Sequence, residues 1–220
     1  QANLTFSCDL RIAGDPLALY ARLRDAARAG WGGVVRHPNG WLLSLSPEQF
    51  FTIHGNVIEA RPMKGTAPPH SPPEVLTEDE KSRAENLMIV DLLRNDIGRL
   101  SRTGSVRVPA LFAIEPYATV HQMTSTVTGE LAEPASLGRL FPALFPCGSV
   151  TGAPKIRAMQ VIRELEPFAR GVYCGALGWM APSGDCDWSV AIRTLSIEGE
   201  AVTVGVGGGV VADSTAEGEW

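Results

Sequence analysis

Three pairs of short apolar runs, each joined by a tight turn, constrain this chain more than any other feature. Gly33-Val34-Val35-Arg36 and Trp41-Leu42-Leu43-Ser44 flank Pro38-Asn39-Gly40. Phe50 to Ile53 and Val57 to Ala60 flank His54-Gly55-Asn56, and Asp187 to Ile197 and Ala201 to Val211 flank Glu198-Gly199-Glu200. Each pattern predicts a hairpin, because turns this short reverse the chain. Parallel pairing is excluded there, since it needs a crossover of roughly a dozen residues or more. The 23 glycines and 16 prolines in 220 residues supply breaks between elements along the whole chain.

Helices fill the gaps between these strands. Asp15-Pro16 reads as a cap followed by a first-position proline, opening a helix to about Arg28. Residues 65 to 76 hold four prolines and read as a loop. Thr77 with Glu80 reads as a capping box that starts the longest helix, ending near Asn95 to Gly98. Strand-like runs follow at Val106 to Val108 and Thr124 to Leu131, then a short helix from Ser136 to Leu144. Thr151 reads as the cap of another helix, with Pro154 in its first turn and its end near Glu166. There is no repeat and no linker. The expected class is α+β, with two antiparallel sheets and flanking helices in one domain over residues 1–220.

Composition excludes several functions. A net charge of −5 with no basic stripe argues against nucleic acid as a partner. No apolar run approaches the roughly 20 residues that span a bilayer, so no membrane partner is expected; widely separated cysteines that read as reduced thiols make the cytoplasm the expected location. The four cysteines (Cys8, Cys147, Cys174, Cys186) form no C-x-x-C pair, which argues for reduced packing thiols. The four histidines never fall at helical i, i+4 spacing, which disfavours a histidine metal site.

Several residues could carry chemistry. Lys64 sits where a strand meets a Gly-containing turn, in Arg61-Pro62-Met63-Lys64-Gly65-Thr66, a placement that fixes and exposes a reactive group or simply a solvated lysine. Glu85 lies along the apolar positions Met88, Ile89 and Leu92, where a carboxylate needs a cation, an arginine or a substrate unless it sits at the stripe's edge. Gly148 to Lys155 opens a helix and gathers amides and hydroxyls suited to an anion. Gly205 to Gly209 interrupts the last strand, marking close approach of a ligand or a bulge. Arg193 either grips a carboxylate in a cleft or points outward into a salt bridge.

Three segments together resemble the chorismate-utilising enzymes: Arg83 to Asp96 (RAENLMIVDLLRND), Gly148 to Lys155, and Gly207-Gly208-Gly209-Val210-Val211-Ala212-Asp213-Ser214. The resemblance covers essentially the whole chain and implies two packed antiparallel sheets with a cleft between layers. Anthranilate synthases resemble P-I-A-G-T where this chain reads Pro62-Met63-Lys64-Gly65-Thr66; aminodeoxychorismate synthases resemble P-I-K-G-T, and the chain sides with them. The resemblance implies that Lys64 attacks C2 of chorismate and expels the C4 hydroxyl. Glu48 would protonate that leaving group, and ammonia would then add at C4 to give 4-amino-4-deoxychorismate, a precursor of para-aminobenzoate and folate. Thr66, His121, Ser149, Tyr173, Arg193 and Gly207 would line the substrate pocket, with Arg193 and Tyr173 on the enolpyruvyl carboxylate. Mg²⁺ would be held by Glu85 and by Glu219, the first acid of the family's C-terminal E-x-x-E pair; the second would fall just past Trp220, and the chain is expected to be an excerpt of the domain, truncated at both ends. A glutamine amidotransferase would supply ammonia as a subunit or fused domain. The alternatives are an anthranilate or isochorismate/salicylate synthase, the latter disfavoured by Gln1 at the position of its water-activating lysine, or a non-catalytic chorismate-binding module.

Overall fold

The expected turns pair the strands they flank. The computed structural model describes residues 1–117, 120–212 and 214–219, with residues 218 and 219 described by backbone alone. In chain order it contains β1 (Ala2–Arg11), α1 (Pro16–Ala27), β2 (Trp31–His37), β3 (Gly40–Ser46), β4 (Gln49–His54), β5 (Val57–Ala60) and β6 (Met63–Ala67). Then come α2 (Glu74–Thr77), α3 (Glu80–Gly98), β7 (Arg107–Pro116), β8 (His121–Glu130), α4 (Leu137–Leu144), a 3-10 turn (Gly148–Val150) and α5 (Lys155–Leu165). The chain closes with β9 (Ala176–Met180), β10 (Cys186–Val190), β11 (Thr194–Glu198), β12 (Ala201–Val210) and α6 (Ala216–Glu219).

All strand pairs in the two sheets are antiparallel. One sheet has five strands in the order β1-β12-β11-β3-β2; the other runs β6-β8-β5-β4-β10-β9, with β7 added on β8. The main core lies between the seven-stranded sheet and α3 and α4. There Phe50, Phe51, Ile53 and Ile58 meet Ile89, Leu93, Ile97, Leu140 and Leu144. Each such side chain contributes about 1.5–3 kcal/mol by leaving water. A smaller core of Leu43, Ile197 and Val202 packs under Leu19 and Tyr20 of α1.

The first helix follows its capping signal: Asp15 accepts from the Leu17 and Ala18 amides, and Pro16 leads the helix. Four local expectations are corrected. The long helix is capped by Asp79, which accepts from the Ser82 amide, while Thr77 ends the short α2 and bonds back to the Glu74 carbonyl. A carboxylate two residues further on displaces the hydroxyl as cap. Thr151 likewise donates to the Cys147 carbonyl inside the 3-10 turn, so Pro154 precedes α5 with no side-chain cap. Gly65 and Thr66 belong to β6 rather than to a loop. The run Asp187 to Ile197 is two strands, β10 and β11, in different sheets.

One buried ion pair ties three elements together. Lys155 Nζ donates to Asp96 Oδ2 (2.5 Å) and to the Leu144 carbonyl (2.9 Å), with the two side chains only 15% and 5% exposed. It joins α5 to α3 and to the end of α4. Lys155→Ala leaves the Asp96 carboxylate buried and unpaired, and is expected to cost about 3–5 kcal/mol, measured by urea unfolding.

Candidate active site

The cleft is built where the chain passes between the sheets. β3 continues into β4 through Pro47 and Glu48, and β10 continues into β11 through Ala191, Ile192 and Arg193. These two crossings lie side by side. The Val190 amide donates to the Glu48 carbonyl and the Leu45 amide to the Arg193 carbonyl, both at 3.1 Å. The hydroxyls of Ser44 and Thr194, opposite each other in the ladder, are 2.8 Å apart. Between the sheets is a cleft of about 620 Å³, within the usual range for small-molecule sites. Glu48, Lys64, Thr66, Ser149, Tyr173, Arg193 and Gly207 all line it.

Glu48 is 4% exposed, and its Oε1 has no hydrogen-bond partner. Burial is the main influence on its carboxyl and pushes the pKa up. Bonds from Ser149 and the Met63 amide and the charge of Lys64 oppose that shift without cancelling it. Its backbone is fixed by Ser46, whose hydroxyl accepts from the Glu48 amide (3.2 Å) and donates to its carbonyl (3.3 Å). A carboxyl that holds its proton above the ordinary range is suited to act as a general acid.

Lys64 projects from β6 and donates to the Ser149 carbonyl at 3.2 Å. It can reach that turn because Gly65 adopts φ +84° and leaves room for Ser82 of α3; a Cβ there would sit 2.8 Å from Ser82 Cβ. Beyond it, the corner at Gly209 collects three functional groups. A Cβ on Gly209 would stand 2.9 Å from Gln1 Nε2 and 3.7 Å from both Glu85 Oε2 and Lys64 Nζ. Glu85 is half-buried at the edge of the buried face of α3, which runs through Ser82, Asn86, Ile89, Val90 and Leu93.

Tyr173 lies flat on β12 because residue 205 is glycine: a Cβ there would be 2.1 Å from Tyr173 Cδ1. Burial first, then the neighbouring Cys174 thiol, push its phenol pKa up and keep it neutral. Arg193 has φ 49°, a left-handed conformation that costs a non-glycine residue about 1–3 kcal/mol and tends to persist at functional sites. It takes no part in the ion pairs among the described residues, so the outward salt-bridge reading does not hold.

Not every expected site residue is placed in the cleft. His121 is not among the residues lining the cleft. Side chains alternate along β8, so Gln122 enters the cleft and donates to Thr66 Oγ1 at 2.9 Å. His121 pairs with Ala67 instead, and its Nδ1 is buried without a partner. Only the strand register distinguishes these two neighbours, and the sequence did not reveal Gln122. The side chain of Glu219 lies outside the described residues. Cys147 is buried, and its thiol is pushed up to about 12, chiefly by burial and then by Glu48; it is an inert packing group.

A profile of chorismate binding enzymes matches residues 1–220. The chain belongs to the chorismate-binding enzyme family. This chorismate-binding chain is 44% identical over 227 aligned positions to aminodeoxychorismate synthase component 1 of Escherichia coli strain K12, covering 100% of the chain and 50% of that protein. It is 49% identical over 220 positions to aminodeoxychorismate synthase of Streptomyces pristinaespiralis, covering 96% of the chain and 31% of that protein. The crystal structure of anthranilate synthase component I from Streptococcus pneumoniae TIGR4 superposes with a TM-score of 0.89 at 34% identity, over 99% of this chain and 50% of that one. The chain spans half or less of the length of these relatives. No helix among the described residues is long and apolar enough to cross a membrane.

The raised Glu48 pKa has a consequence for stability. The folded state holds this proton more tightly than the unfolded chain, so the group's contribution is complete below the unfolded carboxyl value and is lost as pH rises through the folded one. Glu48→Gln is expected to melt higher than the parent at pH 8. The gap should close below about pH 4, where both states of the parent are protonated. Thermal melts across pH check this, and a gap independent of pH would contradict it.

Proposed function

We propose that this chain carries the catalytic site of an aminodeoxychorismate synthase, aminating chorismate at C4. The observation that carries the reading is Lys64 inside the cleft, held on the Ser149 carbonyl and facing the same space as the buried Glu48. The names of the relatives support the same chemistry. The Lys64 amine adds at C2 of chorismate, both conjugated ring double bonds shift (C1=C2 to C1=C6 and C5=C6 to C4=C5), and the C4 hydroxyl leaves as water with the proton of Glu48. Ammonia adds at C4, both double bonds shift back, Lys64 departs from C2 as the free amine, and the new C4 ammonium returns a proton to Glu48. A positioned acid contributes on the order of 10²–10⁴ in rate, because hydroxide leaves poorly without a proton. Arg193 and Tyr173 hold the enolpyruvyl carboxylate, and Thr66, Gln122, Ser149 and the Gly207 backbone complete the pocket.

The donors near Gly209 suit a hard cation. Glu85 presents a carboxylate there, and Gln1, in the same corner, has a buried side-chain oxygen with no partner. Among the described residues no group of three or more His, Cys, Asp and Glu could hold a metal by itself. Glu85 and Glu219 are the residues proposed to hold Mg²⁺, which when bound fixes and neutralises the substrate's ring carboxylate. Ammonia comes from a glutamine amidotransferase partner, in keeping with the component 1 naming of the Escherichia coli relative.

Product identification by chromatography and mass tests the reading. With chorismate, Mg²⁺ and ammonium, the protein is expected to form 4-amino-4-deoxychorismate. Lys64→Ala should abolish that product while keeping chorismate binding within about tenfold, since one contact of many is lost. Anthranilate as product would move the protein to the neighbouring activity. Binding without turnover would make it a binding module.

A further inference from the structure

A buried ion pair behind the cleft wall, used by no step above, holds several parts of that wall at once. Arg170 spends its guanidinium on four bonds. Nε and Nη2 donate to Glu166 at 2.9 and 2.7 Å, Nη1 to the Val150 carbonyl at 2.7 Å, and Nη2 also to the Asn3 carbonyl at 2.7 Å. Glu166 Oε1 accepts in addition from the amide and hydroxyl of Thr5, at 2.8 and 2.9 Å. The two side chains are 14% and 5% exposed. Neither lines the cleft; both border a second cavity whose lining shares only Tyr173 with it.

What the pair grips does line the cleft. Val150 follows Ser149 in the turn that accepts the Lys64 bond, and Asn3 lies on β1. Thr5 is the ladder partner of Gly207. The Arg170 carbonyl also accepts from the Tyr173 amide at 3.1 Å, closing the turn that lays Tyr173 on Gly205. A planar fork that bonds two carbonyls and a carboxylate together fixes their relative positions as separate bonds would not.

We propose that Glu166 and Arg170 are positioning residues for chorismate binding: they lock β1, the 148–151 turn and Tyr173 into one rigid substrate-holding wall. This rests on the cleft being the chorismate site. Glu48 and Lys64 stand on the crossing and on β6 and meet the gripped turn only through Ser149, so loosening the wall should weaken binding more than chemistry.

The test is steady-state kinetics and chorismate titration calorimetry on the purified protein, with Glu166→Gln, Arg170→Lys and Arg170→Leu. Folded variants are expected to raise KM and the dissociation constant by on the order of tenfold or more, with kcat within about threefold, the pattern of lost uniform binding. Arg170→Lys keeps the charge without the fork and should fall between the parent and Arg170→Leu. Unchanged KM and affinity in folded variants with lowered melting temperatures would overturn the proposal and leave the pair a stabilising contact only. If Arg170→Leu does not fold, Glu166→Gln, which keeps shape and an acceptor oxygen, decides. Failure of the unmutated protein to bind chorismate would overturn the underlying reading instead. In that case hydrogen exchange of the Asn3 amide, bonded to the Thr151 carbonyl at 2.8 Å, decides the positioning claim. Faster exchange in Glu166→Gln supports it, and equal exchange overturns it.

Discussion

The paired crossing of the chain between its two sheets is the constraint on which the rest depends. At 46–49 and again at 190–194 the backbone leaves one sheet and enters the other, and the two passages are hydrogen-bonded to each other. That seam fixes how the sheets face one another and so creates the cleft. It also carries Glu48 on one passage and Arg193 on the other. A chain changing sheets must bend sharply, and the left-handed backbone of Arg193 and the register shift between Trp188 and Ser189 are where it does so. An unusual backbone and a proposed substrate contact therefore have a single structural cause.

Around the seam, each cleft wall is held from behind by polar contacts rather than by packing alone. Lys155 and Asp96 secure the start of α5. Glu166 and Arg170 secure β1 and the 148–151 turn. Trp31 Nε1 donates to Asp187 at 2.9 Å, linking the outermost strand of the smaller sheet to β10 of the larger one. Buried charge pairs of this kind add little net stability, but they penalise misalignment heavily. They suit a wall whose shape matters more than its cohesion.

Much of the fold was legible because hairpin turns are local signals. Pro38-Asn39-Gly40, His54-Gly55-Asn56 and Glu198-Gly199-Glu200 each sit between the strands they connect, and Asp15-Pro16 starts α1 where it should. What failed was non-local or competitive. Nothing in the residues 187–197 announces that the strand changes sheets, because sheet membership is set by distant partners. β9 went unseen, since Ala176–Met180 has neither alternation nor a strong turn before it. Thr77 and Thr151 were plausible caps, yet each bonded to a nearer carbonyl. For the site, spacing alone could not unite positions as distant as 48 and 207. The combination of motifs did, and the cleft gathers seven of those residues. Gln122 was missed because only strand register separates it from His121.

The first strand pairs with the last along its entire length, Ala2 opposite Val210 and Arg11 opposite Ala201. Contacts so far apart in sequence impose a large loop-closure entropy and slow folding. On the ribosome, β1 must wait unpaired until nearly two hundred further residues have been made. The cleft floor at Gly207 and the wall at Asn3 both depend on that pairing. The hairpins at Pro38-Asn39-Gly40 and His54-Gly55-Asn56 can therefore form early, whereas the proposed substrate pocket closes only once β12 has left the exit tunnel.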